Sequence, residues 1–221
     1  MKLLLNALTK YIMGLLLVGA LLFLPAGTLD YTNGWLFIGL LFAPMLFLGI
    51  VLLVKSPELL RKRLDAREKE NTQKGVVALS ALLFIAGFVV AGLDFRFGWT
   101  DVPLWCVVTA SAVLLLSYGL YAEVMRENAY LSRTIEVQNG QKVVDTGLYS
   151  IVRHPMYAVT VWLFLSIPVV LGSWWALVCF LPYVAVIAVR IVNEEKVLEA
   201  GLEGYSEYKK RVKYRIIPFV W

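Results

Sequence analysis

In RHPMY, Arg153 to Tyr157, two cationic or titratable side chains, a proline, a methionine and a tyrosine stand at the head of an apolar run, and His154 is the only histidine of the chain. Further on, RIVNEE places Arg190 and Glu194 four residues apart, on one face of a helix, directly after another apolar run. On its own the pentapeptide reads equally well as an interface anchor, since basic residues often end membrane helices. A lone i,i+4 ion pair is usually a surface contact worth a few tenths of a kcal/mol. The setting of Arg190 argues for more. An ionisable group that follows an apolar run lies at or below the membrane interface, where it is costly and usually has a role. His154, Tyr157, Arg190 and Glu194 are therefore expected to share one cavity.

The elements that must position these groups are membrane helices. Of the 221 residues 60% are hydrophobic and the mean hydropathy is +0.73, above what soluble domains carry. Uncharged runs lie near Tyr11–Leu29, Trp35–Val54, Val76–Leu93, Val102–Val124, Met156–Leu171 and Trp174–Val189. A bilayer core about 30 Å thick needs roughly 20 helical residues, so the first four are long enough. The last two reach roughly 24 Å each and are joined by Gly172 and Ser173 alone, which predicts a tight helical hairpin. The first run is expected to be a retained span, because no clear cleavage site follows it. The expected fold is an all-α integral membrane protein of about six transmembrane helices with a C-terminal amphipathic helix.

Charge orients these spans. With the amino terminus inside, all of the 21 lysines and arginines except Arg96 fall on the cytoplasmic side, as the positive-inside rule requires. Both termini and the RHPMY end are thus expected in the cytoplasm. On that side the 55–74 connector is charged with both signs and is expected to be partly helical, with no assigned chemistry. In the 125–154 loop, Asn139-Gly140 lies between two strand-like pieces and predicts either a small β-hairpin or a solvent turn. In the tail, Val197, Leu198, Leu202, Tyr205, Tyr208 and Val212 recur every three or four residues opposite Glu199, Glu203, Glu207 and Lys210. This spacing predicts a continuous amphipathic helix that either closes over the site or lies flat on the membrane.

Several classes are excluded. One histidine and two cysteines inside apolar runs offer no metal set or disulfide framework. The net charge of +5 reflects membrane orientation and contact with anionic lipid; no nucleic-acid partner is expected. None of the sixteen glycines is followed by another two positions on, so the glycine-rich dinucleotide loop of soluble cofactor-binding folds is missing.

Together GLYSIVRHPMY, RIVNEE and the tail GYSEYKKRV resemble the isoprenylcysteine carboxyl methyltransferase family, within a superfamily that includes phospholipid methyltransferases. The resemblance covers roughly residues 126 to 221. It implies S-adenosylmethionine as methyl donor, bound on the cytoplasmic side. By position it implies that Gln141, Lys142, Val143, Val144 and Tyr149 contact the adenosine, and that His154, Pro155, Met156 and Tyr157 continue the cofactor wall. It also implies that Glu194 is the acidic cofactor contact and that Arg190 engages the reacting end of the substrate. The segment before Gln141 is shorter than in eukaryotic members, which leaves an earlier polar contact to Glu136 or Gln138. On this reading residues 1–124 are a four-span membrane region and 125–221 the catalytic region.

Methyl transfer from a sulfonium is an in-line displacement that needs proximity more than acid–base work. A carboxylate acceptor is already ionised at neutral pH, and Arg190 could hold it bidentately. An amine acceptor must first lose a proton, with Glu195 as the nearest available base. The expected function is carboxyl O-methylation of an isoprenylcysteine-like, lipid-linked acceptor, with phospholipid N-methylation as the alternative. An NADPH-dependent sterol-type reductase is a third reading, disfavoured because those families carry asparagine where this chain has Met156. A non-enzymatic sensor would leave the clustered motif residues unexplained.

Overall fold

The computed structural model describes residues 2–64, 71–131, 135 and 137–221, with residues 71–74 as backbone only. Helices α1 (Lys2–Ala26), α2 (Thr32–Lys55), α4 (Asn71–Phe97) and α5 (Leu104–Glu127) form where the four long apolar runs predict them. Between α2 and α4, Pro57–Leu64 forms the short helix α3; residues 65–70 of that connector lie outside the described residues. Helix α6 (Pro155–Val170) is 16 residues long, and α7 (Trp174–Phe180) continues almost directly into α8 (Pro182–Gly201). Among the described residues five stretches are long and apolar enough to cross a membrane, the fifth being Trp174–Gly201, while α6 is shorter. The protein is therefore multi-pass, and its last long helix extends well past Val189 because the charged residues that follow remain helical.

Helix α5 packs along α6, and α4 packs against α1, α7 and α8. Without a hydrophobic force between helices in lipid, close approach depends on small residues. Gly87 and Gly92 on α4 provide it: a Cβ would lie 2.2 Å from Phe180 Cε2 at Gly87 and 2.5 Å from the Leu22 carbonyl at Gly92. Around this contact Leu22, Phe37, Phe88, Leu114, Ile167 and Phe180 form the buried core. Exposed Leu16, Phe47, Leu104 and Leu116 face outward along the helices, as lipid-facing positions should.

The α6–α7 turn forms at Gly172, and the buried Asp94 of α4 holds it. Asp94 accepts from the Thr100 peptide N–H (2.8 Å) and hydroxyl (2.6 Å) and from the Ser173 hydroxyl. The Ser173 Oγ in turn caps α7 by accepting from the Ala176 N–H. These bonds satisfy a carboxylate that would otherwise be costly to bury.

Among the described residues neither the β-hairpin nor the continuous tail helix forms. A turn does form at Asn139-Gly140, closed by the Gln141 N–H to the Gln138 carbonyl at 3.0 Å, but no strands flank it among the described residues. Val137 and Val143 do not pair across a ladder; both pack, as Leu198 does, on the cluster of Leu202, Tyr205, Tyr208 and Val212. Burial against the tail thus replaces strand pairing. The tail is also not one continuous helix. It breaks after Gly201, and a left-handed Gly204 (φ +82°) starts α9 (Tyr205–Arg211) afresh, a conformation without steric penalty only for glycine. The break turns the apolar face of α9 onto the 137–143 loop.

Candidate functional site

Pro155 is the first residue of α6, where its missing N–H breaks no bond. The preceding His154 carbonyl accepts from the Tyr157 and Ala158 N–H groups, both at 3.1 Å. The Arg153 and His154 N–H groups donate to the Tyr214 and Arg215 carbonyls at 2.9 and 2.8 Å, so the tail runs beside the start of α6. Below it Glu195 gathers cations. Arg153 Nε donates to Oε1 at 2.8 Å, Arg215 Nη2 lies 3.0 Å from Oε2, and His154 Nε2 lies 3.3 Å from Oε1. Arg153 Nη1 also donates to the Val212 and Lys213 carbonyls. Arg153, His154 and Glu195 are all buried, so the cluster is a fully paired clamp that fixes the tail to α6 and α8.

The other face of this layer is a cavity of about 490 Å³, within the roughly 300–1,000 Å³ typical of small-molecule sites. Gln141, Lys142, Val143, Val144, Tyr149, His154, Met156, Tyr157, Arg190 and Glu194 all line it. Pro155 does not reach it, and neither does Glu195. At its centre the Tyr157 hydroxyl donates to Glu194 Oε2 at 2.5 Å and accepts from Arg190 Nε at 2.9 Å. The helical spacing that puts Arg190 and Glu194 on one face thus acquires a bridge from α6.

The approach to the cavity is built with care. Asn128 Nδ2 donates to the Tyr149 hydroxyl at 3.0 Å, and the Tyr208 hydroxyl donates to the Tyr149 carbonyl at 2.7 Å. Burial holds the Tyr149 and Tyr208 phenols well above their ordinary pKa, so both stay neutral. Glu127 accepts from the Leu148 N–H at 2.9 and 3.2 Å. The loop passes close to Glu127 at Gly147, which is left-handed at φ +51°.

The wall also draws on residues with no motif to mark them. Helix α4 contributes Val76, Val77, Ser80, Ala81 and Phe84, which with Phe164, Tyr183 and Ile187 form an apolar lobe. Arg63 of α3 reaches the cavity, its guanidinium over the Tyr121 ring at 5.1 Å and Nη2 3.8 Å from Met156 Sδ. Tyr205 and Tyr208 close the site from α9. The lining residues of α4 recur at intervals of one and three, a helical stripe without a chemical motif; nothing in the order of the chain brings Arg63 here. Of the two candidates for the earlier polar contact, Glu136 lies outside the described residues. Gln138 accepts from Lys62 Nζ, donates to the Tyr130 carbonyl, and does not line the cavity.

These features suit a nucleoside-bearing ligand. The cavity joins an irregular loop, a carboxylate, and a buried Tyr205 hydroxyl without a hydrogen-bond partner among the described residues. Among the described residues no group of side chains could hold a metal ion.

No curated protein matches the sequence. Residues 105–203, from α5 through α8, match the phospholipid methyltransferase family; the match does not single out the isoprenylcysteine carboxyl branch. It includes RHPMY, Arg190 and Glu194. Residues 105–203 thus carry a phospholipid methyltransferase domain, and the protein is a multi-pass membrane methyltransferase that uses S-adenosylmethionine.

Proposed function

We propose that the protein N-methylates the amine of a phospholipid headgroup, with phosphatidylethanolamine as the representative acceptor. The observation that carries this reading is the cavity's composition, considered with the family match. Its polar end has Arg63, Lys142, Arg190 and the Glu195-paired Arg153 against a single lining carboxylate, Glu194, among the described residues, and its other end is the apolar lobe between α4, α6 and α8. A lipid with a headgroup phosphate and acyl chains fits that gradient. The basic loops support a cytoplasmic location for the site.

When bound, S-adenosylmethionine supplies an electrophilic methyl group. Gln141 to Val144, Tyr149, His154, Met156, Tyr157 and Glu194 would hold it. Arg190 holds the acceptor's phosphate, a planar-fork donor suited to phosphate oxygens. Tyr157 fixes both Arg190 and Glu194, so the acceptor-holding and donor-holding groups move as one unit. The nucleophilic amine must be neutral, its proton passing to water, and a like charge nearby lowers an amine's proton affinity; Lys142 in the cavity wall acts in that direction. Glu195, the base considered from sequence, is occupied by Arg153, Arg215 and His154.

Carboxyl O-methylation is the second reading, favoured by the same Arg190, which would grip a carboxylate in two parallel bonds. Labelled methyl transfer to phosphatidylethanolamine and to farnesylcysteine analogues distinguishes them. We expect label in the amine lipid, with a rate that rises about tenfold per pH unit while the amine is mostly protonated. Label in the farnesylcysteine analogue alone, with a rate flat across neutral pH, would overturn the amine reading.

A further inference from the structure

We infer that the Tyr205 hydroxyl is a ligand contact, donating a hydrogen bond to the nucleoside part of the methyl donor. Tyr205 is 4% exposed and lines the cavity, and its hydroxyl has no hydrogen-bond partner among the described residues. A buried hydroxyl left unpaired is costly, and phenylalanine would fill the same space without that cost. The contrast lies one helical turn away: Tyr208, equally buried, donates to the Tyr149 carbonyl at 2.7 Å. The hydroxyl of Tyr205 therefore calls for a partner that the described residues do not supply.

The ring is rigidly held. It packs against Tyr208 at 5.8 Å between centroids and belongs to the cluster containing Val143, Leu198 and Leu202. Gly204, left-handed at φ +82°, sets where α9 begins and hence the direction in which Tyr205 points. Burial, then the charges of Glu195 and Glu194, raise its phenol well above the ordinary value. The group is thus a neutral O–H donor at any working pH. The packing against Val143 directs it to the nucleoside, an assignment that rests on residues 141–144 being the adenosine wall. Ribose oxygens and ring nitrogens are the acceptors there.

The test uses the full chain purified in detergent and calorimetry with two probes. S-adenosylhomocysteine carries nucleoside and amino acid; 5′-methylthioadenosine carries the nucleoside without the amino acid. Tyr205→Phe is expected to weaken both by the same factor, about three- to tenfold for one neutral hydrogen bond. Without ligand, its melting temperature should equal or exceed that of the wild type. Unchanged affinity for both probes overturns the inference, and so does a lowered ligand-free melting temperature, which would reveal a structural partner. A loss confined to S-adenosylhomocysteine overturns the nucleoside assignment. Failure of the wild type to bind either probe is a different result: it removes the donor from this cavity and the inference with it.

Discussion

Glu195→Gln tests whether the carboxylate beside Glu194 is a clamp or a base. In the protein its side chain is 3% exposed and that of Arg153 4% exposed, 2.8 Å apart. Neutralising the carboxylate leaves Arg153 with the Val212 and Lys213 carbonyls but without a counter-charge. Arg215 and Lys209 keep 27% and 35% side-chain exposure, so water can compensate them and they add little. Breaking a buried pair costs about 3–5 kcal/mol, and because glutamine retains one acceptor oxygen the lower end applies, ~3 kcal/mol. For a chain of this length that is a fall in Tm of roughly 6–12 °C. The assay is thermal unfolding in detergent, run beside S-adenosylhomocysteine binding and methyl transfer. The expected result is a lower Tm with affinity and transfer reduced together, because the tail that carries Tyr205 and Tyr208 loosens. An unchanged Tm and unchanged affinity, with transfer to an amine abolished, would refute the clamp and restore Glu195 as a base.

Glu194→Gln should weaken S-adenosylhomocysteine binding about ten- to a hundredfold, the loss of a charged hydrogen-bond partner, while leaving Tm near the wild-type value, since Glu194 is only partly buried; His154→Ala should weaken it too. Equal affinity in both variants, measured by calorimetry, would remove them from the cofactor wall. Gly147→Ala should destabilise the loop, because its φ of +51° costs a non-glycine residue roughly 1–2 kcal/mol and its Cβ would lie 1.5 Å from Glu127 Oε1. The double variant with Glu127→Ala should recover only the steric part, which melting temperatures of the two variants can separate.

The membrane class, the long helices and the α6–α7 hairpin are legible in the chain because each depends on local composition: an uncharged run of sufficient length has no alternative to a helix in lipid. The convergence of RHPMY with Arg190 and Glu194 is also legible, since i,i+4 spacing and a two-residue turn are enough to bring those ends together. Burial and pairing are decided elsewhere. Arg190 and Glu194 are joined by the hydroxyl of Tyr157, and adjacent Glu194 and Glu195 face opposite sides because successive helical residues diverge by about 100°. One therefore lines the cavity and the other closes a clamp with Arg153. The Asn139-Gly140 signal yields its turn, but the flanking valines take the better burial offered by the tail, a contact about sixty residues away that no local pattern encodes. The same holds for Arg63 and α4, which have no motif and become walls of the cavity only through packing. Local pattern determined which groups could act; tertiary structure decided which of them line the cavity, because that depends on what is packed behind each side chain.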